Sequence, residues 1–177
     1  AKRFPGEKME LAHFEVVNAP AVFAYNHPGN RLATLMGLNK TGIDGIDQAG
    51  HEVAMQIAAM SPKYVSEAEV PADYLTHERE ILLAQIKNDP SNSKKPENIL
   101  EKMLEGRLKK ELKEICLVDQ VYVKDGDLSV GQYLANVSKE AGAPVSVKRF
   151  VRYETGEGLE KKSEDFAEEV AKQMGNI

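Results

Sequence analysis

His51 and Glu52 stand where a zinc-protease helix would begin, with a histidine ligand followed by a general base. That chemistry needs a second imidazole four residues on, one helical turn along the same face, and position 55 is a methionine. The other histidines, at 13, 27 and 77, and the sole cysteine, Cys116, are too scattered for their spacing to suggest a metal site. Gly42 and Gly45 lack the lysine and helix start of a phosphate loop, and Gly156-x-Gly158 lacks the third glycine of a dinucleotide fingerprint. No Gly-x-Ser-x-Gly nucleophile elbow occurs. Carboxylates are plentiful, but an acid/base pair is defined by geometry that a sequence does not give. No enzyme chemistry is written in these motifs, and the expectation is a protein with no cofactor or metal.

Composition narrows the class. At 42% hydrophobic and 29% charged residues, the 177-residue chain has the make-up of an ordinary globular protein. No run approaches the roughly 20 apolar residues of a membrane span, and Ala1–Gly6 leads into no apolar stretch, so neither membrane contact nor a secretion signal is expected. One cysteine forms no internal disulfide and suits a reducing compartment, so the expectation is cytoplasmic. Cys116 itself reads as a buried small hydrophobe at a helix end. A net charge of -5 argues against binding to duplex nucleic acid. Arg107, Lys109, Lys110 and Lys113 cluster, but Glu105, Glu111 and Glu114 interleave them as on a solvated helix face.

The elements that would carry any binding residue follow from periodicity. Met9–Val17, Ala21–Tyr25 and Arg31–Leu38 read as strands, the last two joined into an antiparallel hairpin by Asn26-His27-Pro28-Gly29-Asn30. Lys40–Gly45 is a loop. Asp47–Met60 turns helical, with Val53 and Ile57 on one face and Ala49, Gly50, Ala54 and Ala58 small enough for a close approach to a sheet. Ser61-Pro62 reads as a cap opening a further short turn. Helices from Pro71 to about Asn88 and from about Pro96 to Leu117 carry facing apolar stripes, Leu75, Leu82 and Ile86 against Leu100, Met103, Leu104, Leu108, Leu112 and Ile115. Joined by the polar break Asp89–Lys95, they form an antiparallel hairpin whose tip projects into solvent. Ser129 and Gln132 fit a capping box for a helix ending near Gly142. Val145–Tyr153 alternates as a strand with one face on a core, and Gly156-Glu157-Gly158 breaks it. Ser163 caps a final helix with Phe166, Ala167, Val170 and Met174 on its apolar side. The fold class is α+β: a small antiparallel sheet packed with helices, a protruding helical (coiled-coil) hairpin at about 71–117, and a C-terminal helix.

Four segments in this order and spacing resemble the elongation factor Ts family. They are Tyr25-Asn-His27-Pro-Gly29-Asn-Arg31, Val53-Ala-Met-Gln-Ile57-Ala-Ala-Met60-Ser-Pro62-Lys-Tyr64-Val65, Glu105–Leu117 with Gln120 and Val123-Lys-Asp125, and Arg149-Phe-Val-Arg152-Tyr-Glu154-Thr-Gly156-Glu-Gly158. The resemblance implies a core of the family's dimerisation type over 1–155 and a C-terminal helical module over 156–177. It also implies a translation factor that binds elongation factor Tu, GDP-bound and nucleotide-free, and promotes GDP/GTP exchange without covalent chemistry. Tyr25, His27, Gly29 and Arg31 would approach the third domain of Tu. Phe166, Val170 and Met174 would dock on its G domain or pack on their own core, with Gly156 and Gly158 as the joint. Family members with one core half can dimerise, which extends to a homodimer here.

The chain also departs from the family. Its N-terminal helical module is not in this sequence, nor is the Thr-Asp-Phe-Val element that intrudes near the magnesium and phosphates. Leu38-Asn-Lys-Thr-Gly-Ile-Asp-Gly-Ile46 stands in that place. Members with two core halves carry the element in the first half only, and this sequence aligns with the second, so the expectation is the C-terminal part of a longer factor. Two other classes stay open on the residues: an RNA-associated protein using Lys109 and Lys110, and a hydrolase assembled from scattered carboxylates and histidines.

Overall fold

The computed structural model describes residues 13–157. Two strands, β1 (Ala21–Asn26) and β2 (Leu32–Leu38), pair antiparallel with Phe23 opposite Met36 and Asn26 opposite Ala33. A third, β5 (Val147–Glu154), pairs antiparallel with the other edge of β2, giving the order β1-β2-β5. Strand alternation puts Phe23, Thr34 and Met36 on one face, and α1 (Ile46–Met60) lies against it. Its small residues allow a close approach: a Cβ added at Gly50 would come within 2.3–2.4 Å of three Phe23 ring atoms. Thr34 Oγ1 donates to Ala54 O across the same contact at 2.9 Å. Met36, Leu38, Val53 and Ile57 are fully buried there, each contributing roughly 1.5–3 kcal/mol of transfer free energy.

The helical hairpin follows as α2 (Ala72–Asn88) and α3 (Glu97–Ile115), packed on each other. Ile86 and Leu104 are its buried side chains. At the turn, Asp89 caps a 3₁₀ segment, Pro90–Asn92, by accepting from Ser91 N. Asn92 is buried there and donates to Ile86 O at 2.9 Å. After α3 come a two-stranded ribbon, β3 (Val121–Tyr122) with β4 (Asp125–Ser129), and then α4 (Val130–Glu140). Both hydrogen bonds of the Ser129/Gln132 capping box form. No helix among the described residues is long and apolar enough to cross a membrane.

The α+β class, the β1–β2 hairpin, α1, α4 and β5 agree with the sequence reading. Three details differ. The expected strand Met9–Val17 is not one over its described part, His13–Val17. That segment crosses the outer sheet face instead, with Val17 and Ala19 lying over Gly37, and Glu15 reaches Arg149 at 2.5 Å. A backbone laid across a face has no strand edge to pair with. Ser61 closes α1 rather than opening a new turn: it takes φ 48° and its N–H donates to Ile57 O. The backbone beyond it is committed elsewhere, since Lys63 N and Tyr64 N both donate to Ile115 O at the end of α3. The β3–β4 ribbon was not anticipated. The C-terminal helix lies outside the described residues.

Candidate binding surface

The β1–β2 connection is built by its sequence. Asn30 N donates to His27 O at 3.0 Å, which makes His27-Pro28-Gly29-Asn30 a β-turn. Proline at its second position and glycine at φ 92° at its third are the requirements of a type II turn. Asn30 follows at φ 54°, a conformation asparagine tolerates, and its Oδ1 accepts from Asn26 Nδ2 at 2.6 Å. His27 N returns to Leu32 O at 2.9 Å and closes the loop. Tyr25 Oη lies 3.0 Å from His27 Nδ1. With the tyrosine donating, the imidazole proton sits on Nε2, and that N–H is left to bind elsewhere. His27, Gly29 and Arg31 are exposed and Tyr25 is half-buried, so the turn is a pre-shaped polar projection on a rigid sheet.

The structure brings this turn to the place where the chain leaves β5. Thr155 N donates to Arg31 O at 2.7 Å. Gly156, at φ 88°, then turns the backbone, with Glu157 N donating to Glu154 O. Tyr25, His27, Gly29 and Arg31 are thus grouped beside the start of the C-terminal segment. Phe166, Val170 and Met174 lie outside the described residues.

Beneath the surface sits a cluster that no sequence motif marks. Glu52 is 7% exposed and its carboxylate accepts from Tyr122 Oη at 2.5 Å, Tyr133 Oη at 2.6 Å, Lys124 Nζ at 2.7 Å and Gln48 Nε2 at 3.0 Å. The two tyrosine rings stack at 4.4 Å. Burial alone would raise the Glu52 carboxyl, but the bonds from Lys124, Tyr122, Tyr133 and Gln48 outweigh it and hold it at about 2. Burial and then the hydrogen bond to Glu52 push both tyrosine hydroxyls up. One carboxylate therefore pins the ribbon and α4 to α1. Every oxygen is occupied by a protein donor and the phenols stay protonated, so the cluster is a fastening rather than an acid/base pair. Glu52 stands on the buried face of α1 with Gln56 one turn on, and that pair of polar residues among alanines was the available signal.

A second buried set fastens the hairpin. Gln120 is 2% exposed, and its Nε2 donates to Glu114 O at 2.7 Å and Met60 O at 3.2 Å. Its Oε1 accepts from Gln56 Nε2, whose own Oε1 accepts from Val123 N. The ends of α1 and α3 are joined through this side chain. Tyr74 on α2 adds a bond to Glu111 on α3 at 3.0 Å, with Lys63 Nζ 5.4 Å over its ring. Burial first, then Glu111, pushes the Tyr74 hydroxyl up to about 12.

A family model described as Elongation factor TS matches residues 3–157. The protein named Elongation factor Ts from Clostridioides difficile (strain 630) is 46% identical over 171 residues, covering 96% of this chain and 55% of the relative. Its namesake from Clostridium perfringens (strain SM101 / Type A) is 44% identical over 173 residues, covering 96% and 56%. That from Symbiobacterium thermophilum is 43% identical over 178 residues, covering 96% and 57%. The chain spans about half the length of these curated relatives.

Proposed function

The chain belongs to the elongation factor Ts family, and on that premise we propose that it binds elongation factor Tu and supports GDP/GTP exchange, as the C-terminal part of a longer factor. The observation that carries this reading is the pre-formed turn at Tyr25–Arg31, exposed on the sheet and hydrogen-bonded to the exit of β5. Its role is contact with the third domain of Tu, with His27 Nε2–H and the Arg31 guanidinium as donors. The segment beyond Gly156 contributes Phe166, Val170 and Met174 to the same partner. The organisation we propose is a core over 1–155 and a C-terminal module over 156–177, acting in the cytoplasm.

Exchange by binding is a matter of linkage. A factor that prefers nucleotide-free Tu must itself be weakened by nucleotide, by the same factor in affinity. A factor with equal affinity for both forms shifts nothing. Titration of this chain against nucleotide-free and GDP-bound Tu tests the reading: at least tenfold tighter binding to the nucleotide-free form is expected. Equal affinities, or none, contradict it.

A second observation favours self-association. On the outer sheet face, opposite α1, Val22 and Tyr153 are each 42% exposed, and Leu35 and Val151 are partly open. Phe14 and Val16, 77% and 59% exposed, extend the apolar area. We assign this face to a second copy of the chain.

A further inference from the structure

We propose that in the free chain the cavity at Arg152 is a docking site for the chain's own acidic stretch, residues 163–170, with a carboxylate accepting from Arg152 Nε–H and an apolar side chain resting on Phe150. This stands apart from the partner assignment above and needs no second protein. Arg152 is on β5, and its side chain is only 16% exposed. Its Nη2 donates to Glu154 at 2.7 Å, whereas its Nε is buried and has no hydrogen-bond partner among the described residues. A buried guanidinium N–H left unpaired is costly, and a carboxylate is the acceptor that best relieves it.

The space around Arg152 is open. A cavity of about 450 Å³ is lined by Ser61, Pro62, Lys63, Phe150, Arg152 and Glu157, and one of about 350 Å³ adjoins it, sharing Arg152 and Glu157. Arg152, paired with Glu154, lines the larger cavity with Glu157 and Lys63, whose Nζ lies 5.4 Å over the Tyr74 ring, and Phe150 and Pro62 give it an apolar wall. Glu157 does not fill the role at Arg152, because its Oε2 accepts from Glu154 N.

The occupant follows from where the described chain ends. Glu157 lines both cavities, so the next residues start at their mouth. The turn at Gly156 means that the backbone does not run straight on from β5. Residues 163–170 read Ser-Glu-Asp-Phe-Ala-Glu-Glu-Val, acidic with two large apolar side chains and no base. A tether of about six residues reaches roughly 20 Å when extended, ample for a return to its own origin. Apolar content and reach match the cavity, and the carboxylates of this stretch are acceptors for the unpaired Arg152 Nε–H. Phe166 and Val170 are also the residues assigned to the partner, so docking at Arg152 holds them from it and lowers the competent fraction.

The test uses the full 177-residue chain, labelled with ¹⁵N, and the Nε–Hε resonance of Arg152, assigned by its loss in Arg152→Lys. Hydrogen exchange at this position should be at least tenfold slower than at the exposed Arg31. It should accelerate severalfold in Glu164→Lys/Asp165→Lys or in Glu168→Lys/Glu169→Lys, and in Phe166→Ser, with the thermal transition of the core unchanged. Exchange untouched by all three variants overturns the proposal. So does an effect that appears only as concentration rises, which gives the cavity to a second copy. No Tu is present, so the outcome is independent of the exchange reading.

Discussion

The carbonyl of Arg31, at the end of the β1–β2 turn, accepts from the N–H of Thr155 at 2.7 Å. That bond ties the end of the turn to the residue at which the chain leaves β5. It prolongs the β2–β5 ladder by one step beyond Leu32 and Glu154, so the turn cannot move without the start of the C-terminal segment moving too.

Replacing His27 with alanine removes an exposed donor and the contact with Tyr25 while leaving the type II turn intact. Affinity for elongation factor Tu should fall about tenfold, corresponding to about 1.4 kcal/mol. The melting temperature should stay within a degree or two of the parent. Calorimetric titration beside a thermal melt separates the two effects.

Glu52→Gln should cost stability of roughly 1.5–3 kcal/mol, because both phenols lose the charged acceptor they converge on, while the half-exposed Lys124 is solvated. The acid dependence follows from the depressed carboxyl. A group held at about 2 in the fold and at 4.5 unfolded adds stability above 4.5 that disappears as pH falls toward 2. Urea unfolding between pH 5 and pH 2 should show a steep loss in the parent and a flatter one in the variant. Parallel curves would contradict the assignment.

Gln120→Leu removes the donor to Glu114 O and Met60 O and the acceptor for Gln56. A loss of roughly 2–4 kcal/mol is expected, since several buried groups lose partners at once. Hydrogen exchange should rise at the last turns of α1 and α3 more than in the sheet. Uniform exchange would assign Gln120 to the core at large.

On the outer sheet face, Val22→Asp sets a charge opposite Gly37 without touching α1. Light scattering should show a concentration-dependent dimer for the parent and a monomer for the variant. A parent that stays monomeric at 100-fold above its working concentration contradicts self-association through this face.

What could be read in the sequence was local. His27-Pro28-Gly29-Asn30 specified its turn through the φ values that proline and glycine accept, and Ser129 with Gln132 announced α4 by a reciprocal cap. The alanines and glycine of α1 foretold a close approach to the sheet. Glu52 and Gln56 among alanines hinted at a buried polar pair, but its tyrosine partners were not legible, because they stand 70 to 81 positions away. The same holds for Gln120, whose neighbours suggest only a loop. Ser61-Pro62 misled because serine before proline suits a helix start, while the αL residue that ends α1 is usually glycine or asparagine. The candidate turn was visible as a motif, but its bond to Thr155 depends on the β2–β5 register, which only the fold sets.

Release of a fluorescent GDP analogue from elongation factor Tu tests the central claim most directly. This chain lacks the Thr-Asp-Phe-Val element, so it should accelerate release measurably but at least tenfold less than a full-length factor at equal concentration, with His27→Ala weaker still. Release unaffected by the chain at saturating concentration would contradict a role in exchange, and release as fast as with a full-length factor would contradict the limit placed on it here.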